Sequence, residues 1–341
     1  MQLHNKVDKR VLRENLQNSQ EERTTVSFYQ YTHLEDPKAF RDKLYKDLSE
    51  IGVYGRIYVA QEGINAQISA PNSRFEDLKN HLYSIPFLNG VRLNIAVDDD
   101  GKSFFKLIIK VRPKIVADGL DDDSFDVTAI GVHVNAEKFN ELADNPETVI
   151  VDMRNHYESE VGYFKNAITP EVETFRDELP LVEEMLEGKK DKNLLLYCTG
   201  GIRCEKASAY YKSKGFEKVF QLEGGIIKYA HDVEAKGLEN KFVGKNFVFD
   251  ERLGERITED IISECHQCGK PCDKHINCAN DACHLLFIQC EECATKYELN
   301  CSTKCQDFTK LPEQERFKLR ITTEFNGTNF SKNVASKNLL K

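Results

Sequence analysis

Nine of the chain's eleven cysteines fall in one stretch, from Cys265 to Cys305. That stretch has few apolar runs and buries too small a core to fold unaided, so metal–thiolate bonds must supply the difference. The spacing runs Cys265-x₂-Cys268-x₃-Cys272-x₅-Cys278-x₄-Cys283-x₆-Cys290-x₂-Cys293-x₇-Cys301-x₃-Cys305, with His266, His275 and His284 interspersed. The pairs Cys265/Cys268 and Cys290/Cys293 have the spacing of zinc knuckles. Eight thiolates fill two tetrahedral sites and leave one of the nine spare. The expected metal is a structural zinc, with an iron–sulfur cluster as the alternative. Spacing alone does not assign ligands to sites. The odd total, and the lack of an apolar signal segment at the start, favour reduced thiols over a disulfide framework.

The chain has 341 residues, enough for two or three domains. Its net charge of −9 excludes a uniformly basic nucleic-acid binder but leaves room for a local basic patch. No apolar run approaches the roughly 18 residues of a membrane span, so the expectation is a cytoplasmic protein without a membrane partner.

The expected fold class is multidomain α/β. Residues 1–23 are polar and read as a flexible lead-in. Over 24–117 the pattern is β-α-β-β-α-β with one extra strand, a ferredoxin-like α+β domain whose helices cover one sheet face and leave the other open. Its last strands are expected at Val91–Val97 and Phe104–Val111. The acidic residues 118–126 form a linker. Over 127–243, apolar strands at Thr148–Asp152, Asn193–Tyr197 and Val219–Leu222 alternate with helices, one of them expected at Leu181–Glu187. That alternation means a parallel α/β sheet covered on both faces, with the working site at the carboxyl ends of its strands. Residues 244–307 form the Cys-rich module and 308–341 a mobile basic tail.

Asp152 and Cys198 both stand at strand ends. Cys198 opens the run Cys198-Thr199-Gly200-Gly201-Ile202-Arg203-Cys204. Two glycines let successive N–H groups turn inward as an anion nest, and the following helix start adds positive potential. Arg203 adds a permanent charge. All three favour an ionised, reachable Cys198 thiolate. From Cys198 to Arg203 is six residues, one fewer than the Cys-x₅-Arg ring that cradles a phosphate, and the tighter ring suits a single terminal sulfur. Cys204 reads as a small buried residue on the first helical turn, with a resolving thiol as the alternative.

The runs DMRNHYE (152–158), CTGGIR (198–203) and LEGGI (222–226) resemble the three signatures of a rhodanese domain. The resemblance implies a rhodanese-like fold with Cys198 as the persulfide carrier and Thr199, Gly200, Gly201, Ile202 and Arg203 as its cradle. It makes Asp152 and Arg154 a strand-end pair that braces the loop. Gly162-Tyr163-Phe164 replaces the usual Gly-His-Ile, and Tyr229 stands where Trp is frequent, which leaves the substrate open. Longer runs widen the match. VAQEGINAQIS (59–69), YCTGGIRCEKAS (197–208), GKNFVFDERLGERI (244–257) and CHQCGKPCDKHINCANDACHLLFIQC (265–290) resemble the tRNA uridine-34 hydroxylase family. That resemblance implies oxygen-dependent formation of 5-hydroxyuridine at the wobble position, with tRNA as partner and molecular oxygen as co-substrate. The alternative is a rhodanese-type sulfurtransferase passing persulfide sulfur from Cys198 to an acceptor. A third reading is a non-catalytic adaptor.

Lys106, Lys110 and Arg112, followed by Lys114, alternate with apolar residues and predict a basic stripe on the first domain, a candidate RNA track. Tyr29, Tyr31, Tyr54 and Tyr58 are candidate stacking groups. No GxGxxG opens a helix after a strand, and no P-loop is present, so no flavin or nicotinamide motif is seen. The motifs name no protein partner.

Overall fold

The computed structural model describes residues 7–121, 124–320 and 322–327. Helix α1 (Lys9–Asn18) precedes β1 (Arg23–Tyr31), α2 (Pro37–Ile51), β2 (Tyr54–Ala60), β3 (Gly63–Pro71), α3 (Phe75–Ser84), β4 (Asn94–Ile95) and β5 (Leu107–Val111). The sheet order is β4-β1-β3-β2-β5, the ferredoxin-like order with β5 added parallel to β2. Alternation along each strand decides which face is dry. Ile57, Val59, Ile64, Ala66, Ile68, Val26 and Phe28 pack on Leu44 and Leu48 of α2 and Leu78 and Leu82 of α3.

The second unit holds β6 (Val132–Val134), α4 (Ala136–Ala143), β7 (Thr148–Asp152), α5 (His156–Ser159), β8 (Gly162–Phe164), α6 (Phe175–Met185), β9 (Asn193–Tyr197), α7 (Ile202–Ser213), β10 (Val219–Leu222), α8 (Gly225–Lys236), β11 (Phe242–Asn246) and β12 (Glu255–Arg256). Strands β6-β10-β9-β7 form a parallel sheet between two apolar clusters. The Cys-rich module adds a hairpin of β13 (His275–Asn277) and β14 (Leu286–Ile288), then α9 (Glu291–Lys296), α10 (Thr303–Lys310) and α11 (Glu313–Leu319). It docks on the second unit through Lys245–Asp273 (3.0 Å) and His266–Glu160 (2.8 Å).

Several expectations need correction. The lead-in contains α1, capped by Asp8 and held at its carboxyl end by Lys102 Nζ, which donates to the carbonyls of Leu16 and Ser19. A cation on the last carbonyls offsets the helix's unpaired acceptors. Residues 1–6 of the lead-in lie outside the described residues. The strand expected over Val91–Val97 is only Asn94–Ile95, because Val91 N is spent on a turn to Leu88 O. The next begins at Leu107 rather than Phe104, since Ser103 is tied down by Thr25 Oγ1 at 2.7 Å. Helix α6 starts at Phe175, six residues before the expected Leu181, because Thr174 caps it. The linker's Asp118 is buried and pairs with Lys114 at 2.8 Å; residues 122–123 lie outside the description. The tail carries α11, and Phe325 meets Phe308 edge to face with centroids 4.9 Å apart. Up to Gly327 the tail thus carries a helix and a ring contact that the sequence reading did not include; residues 321 and 328–341 lie outside the described residues. The expectation of an open sheet face also fails, as the site shows.

Candidate active site and metal centres

Strand β9 ends at Tyr197, and the chain then turns through Gly201 (φ 99°) into α7. The second glycine of LEGGI secures this turn from below. Gly225 has φ 65°, and a Cβ there would stand 2.5 Å from the carbonyl oxygens of both Cys198 and Thr199. Only glycine allows that approach. It brings the N–H groups of Ile226 and Ile227 onto those two carbonyls at 3.0 and 3.2 Å.

Cys198 Sγ accepts the Gly201 N–H at 3.1 Å. Burial pushes the thiol up. The Cys204 thiol's hydrogen bond, the Arg203 charge and the Arg203 and Cys204 N–H groups outweigh burial and bring Cys198 down to about 6. Cys204 moves the other way, well above the usual thiol range, through burial and then Cys198. Cys198 is therefore the thiolate and Cys204 the donor.

Arg203 does not aim at the sulfur. Its guanidinium forks onto Glu158 at 2.6 and 2.8 Å, inside the protein, and acts on Cys198 by charge alone. The Arg203 backbone N–H stays part of the cradle, and only its guanidinium, expected as the loop cation, turns away from the sulfur. Arg154 forks onto Asp152 at 2.8 and 2.6 Å and also donates to Gly162 O, while Tyr197 OH donates to Asp152 Oδ2 at 2.7 Å. Beside these pairs, Glu178 on α6 is buried with neither oxygen hydrogen-bonded among the described residues. Burial pushes its carboxyl well up, against the pull of Arg203, so it holds a proton. Sequence reasoning missed both glutamates: Glu158 is a letter inside a motif, and nothing in the α6 pattern marks Glu178 as buried.

Cys198 itself is 0% exposed. This corrects the expectation of a sulfur open to solvent. Its cover is the first domain's supposedly open sheet face. A Cβ on Gly200 would lie 3.9 Å from Ser27 Oγ and 3.8 Å from Asn94 Nδ2. Tyr29 OH donates to Glu205 Oε1 at 2.8 Å, one residue past Cys204, and His133 Nε2 meets the same oxygen at 2.9 Å. Burial first, then the Glu205 charge, raises the Tyr29 phenol far beyond its usual range, so it stays a donor. Between sheet and loop runs a cleft of about 620 Å³, lined by Cys198, Thr199, Gly200, Ile202 and Arg203 below and by Arg56, Tyr58, Asn65, Gln67 and Asn94 above. A second cleft, of about 1310 Å³, shares Tyr29 and Asn94 with it and reaches Tyr31, Arg92 and His133.

Of the basic stripe, Lys110 and Arg112 are exposed at the β5 edge, and Arg112 lies over the Tyr58 ring at 5.7 Å. Burial, then the charges of Lys9, Lys110 and Arg13, push Lys106 down, so α1 adds two cations that spacing did not foresee. Lys114 departs from the stripe: it folds back onto Asp118 Oδ1 and Leu120 O, both at 2.8 Å. Tyr54 is stacked under Arg23 at 4.1 Å rather than offered for stacking.

The Cys-rich module brings its thiols into two groups of four. Cys265, Cys268, Cys290 and Cys293 make one; Cys278, Cys283, Cys301 and Cys305 make the other; within each, all sulfurs lie within 4.8 Å. Cys272 is the spare. Sulfur separations of 3.6 Å (Cys268–Cys290) and 3.7 Å (Cys283–Cys301 and Cys301–Cys305) match the edge of a tetrahedron with ~2.3 Å metal–sulfur bonds. N–H donors surround the second group: Cys301 N to Cys278 Sγ at 3.4 Å, Asn280 Nδ2 to Cys305 Sγ at 3.4 Å and Gly327 N to Cys283 Sγ at 3.3 Å. Such donors spread thiolate charge and fit a resident dication.

Family models match along the chain: a UPF0176 acylphosphatase like domain over residues 23–115, a rhodanese-like domain over 135–232 and a rhodanase C-terminal segment over 243–306. Proteins named tRNA uridine(34) hydroxylase from Pectobacterium atrosepticum and Yersinia pestis are each 55% identical over 340 residues, covering 99% of this chain and 95% of theirs. The chain belongs to the tRNA uridine(34) hydroxylase family. The ferredoxin-like and rhodanese-like units of this family member are the two walls of the cleft. A rhodanese-related protein from Thermoplasma volcanium, among solved structures, is 23% identical over 33% of this chain and 97% of its own, with a TM-score of 0.26. No helix among the described residues is long and apolar enough to cross a membrane.

Proposed function

We propose that this chain forms 5-hydroxyuridine at position 34 of tRNA, with Cys198 as the catalytic nucleophile and molecular oxygen as co-substrate. The observation that carries the reading is a sulfur held at about 6, at the floor of a cleft between two domains. A uridine entering that cleft would present a face of its ring at C6 to the thiolate. Addition of sulfur to C6 moves the C5–C6 π pair toward O4 and makes C5 electron-rich. Oxygen then reacts at C5. One oxygen atom stays on C5, and the other leaves as water with two electrons from an external reductant and two protons. Loss of the C5 proton and of the thiolate restores the ring. Glu178, buried beside the charge cluster, keeps the region from carrying a second uncompensated anion.

Lys106, Lys110 and Arg112, with Lys9 and Arg13, would carry RNA phosphates along the β5 edge. The two four-cysteine sites would hold structural zinc, which clamps hairpin and helices where no large core exists. The protein would work in the cytoplasm, beside its tRNA substrate.

The test is nucleoside mass spectrometry of tRNA from a strain lacking the gene, complemented with the intact chain or with Cys198→Ser. The expected result is loss of 5-hydroxyuridine derivatives, restored by the intact chain and not by Cys198→Ser. Loss of a thiolated nucleoside instead would move the assignment to a sulfurtransferase.

A further inference from the structure

We propose that the cleft over Cys198 takes a single uridine base flipped out of the RNA, and that Gln67 selects it by accepting its N3–H. This rests on the reading of Cys198 as the group that engages uridine, and adds how the base is recognised.

Gln67 lies on β3, opposite Ser27 of β1 on one side and Arg56 of β2 on the other. Ser27 is the residue that meets Gly200 of the cysteine loop. Gln67 therefore stands one strand spacing, about 4.8 Å, from the point where sheet and loop touch. It lines the same cleft as Cys198.

Its amide is oriented by a chain of hydrogen bonds. Gln67 Nε2 donates to Asn65 Oδ1 at 2.7 Å, and Asn65 Nδ2 donates to the Ile115 carbonyl at 3.2 Å. The Ile115 oxygen can only accept, so Asn65 cannot turn over, and neither can Gln67. Gln67 Oε1 is left as an acceptor with no protein donor among the described residues. A fixed acceptor on a cleft wall selects a base edge by what it excludes. Uracil presents N3–H, a donor. Cytosine presents a lone pair at N3, which would face the Oε1 lone pairs.

Ring geometry supports the same placement. N3 and C6 are opposite corners of a pyrimidine, so a base held at N3 by the sheet turns its C5–C6 edge toward the loop that carries Cys198. The cleft, at about 620 Å³, falls within the ordinary range for sites that enclose a small ligand. Reading a splayed-out base on its Watson–Crick edge is the usual solution for single-stranded RNA. At the mouth, Arg56 is exposed and makes no ion pair among the described residues. Its strand neighbour Tyr58 stands opposite Lys110. These two cations are placed for the phosphates flanking the base.

The experiment measures fluorescence anisotropy of the full chain with three anticodon hairpins, identical except for uridine, N3-methyluridine or cytidine at the wobble position. The intact chain should bind the uridine hairpin about tenfold tighter than the other two, the effect of one buried hydrogen bond left unmade. Gln67→Leu, which removes the acceptor, should bind all three alike. Gln67→Leu retaining the full preference would overturn the proposal, as would an intact chain with no preference. Either result leaves the hydroxylase reading standing if the nucleoside analysis still shows loss of 5-hydroxyuridine. A normal 5-hydroxyuridine level in the deleted strain would instead remove the reading itself.

Discussion

Replacing Cys204 by alanine isolates what holds the Cys198 sulfur ionised. Burial alone would leave Cys198 a thiol, and the first of the contributions that reverse this is the hydrogen bond from Cys204. A bond to a charged acceptor is worth roughly 1.5 kcal/mol, close to one unit of pKa. Cys204→Ala should therefore move Cys198 from about 6 to ~7. At pH 7 the thiolate fraction would fall only from ~90% to ~50%; at pH 5 it would fall about tenfold. The assay is the rate of iodoacetamide labelling at the Cys198 peptide, followed by mass spectrometry from pH 4.5 to 9. Access to the buried sulfur scales both curves alike, so the inflection reports ionisation and the alkaline plateaus should agree. The linkage has a definite sign. A thiol depressed in the folded state stabilises that state above its unfolded pKa, near 8.5, and the stabilisation is lost as pH falls toward 6. The intact chain should thus gain stability relative to Cys198→Ser between those two pH values. An intact-chain labelling curve that inflects near 8.5, or one that Cys204→Ala leaves unmoved, refutes the account of the loop.

The remaining predictions concern the buried pair and the metal module. Glu158→Ala strands the Arg203 guanidinium inside the protein and should cost about 3–5 kcal/mol, read as a lowered urea midpoint; the double change with Arg203→Met should recover much of it. Metal analysis of the purified chain should return two zinc ions. Cys272→Ser should keep both, whereas Cys283→Ser should keep one, and a strong chelator should abolish the near-ultraviolet circular dichroism of Tyr297 and Phe308 as the module opens.

Short-range signals carried much of the protein. Two glycines after a strand-end cysteine predict an anion nest, because only backbone conformation and the next helix start are needed to build one. Alternation over Val53–Ser69 predicts the dry face of the first sheet, since a strand's two faces are written in its own residues. The pairing of CxxC knuckles predicts two four-thiolate sites with one cysteine over. What spacing could not supply is which sulfurs share a site: Cys278 and Cys305 meet only after the hairpin closes and α10 returns.

The contacts decided by tertiary structure join residues far apart in the chain. Tyr29 and Glu205, 176 positions apart, close the sheet of one domain over the loop of the other. That docking buries Cys198, creates the cleft and turns a polar strand face from a solvated surface into a wall lined with amides. The sequence writes the polarity of Ser27, Asn65 and Gln67, which suits water and a substrate equally well. Only the fold removes the water, because a face becomes a site through what is placed opposite it. Arg203 obeys the same rule: its charge is legible in the letters, but its direction depends on Glu158, a residue of α5 that lies 45 positions earlier in the chain.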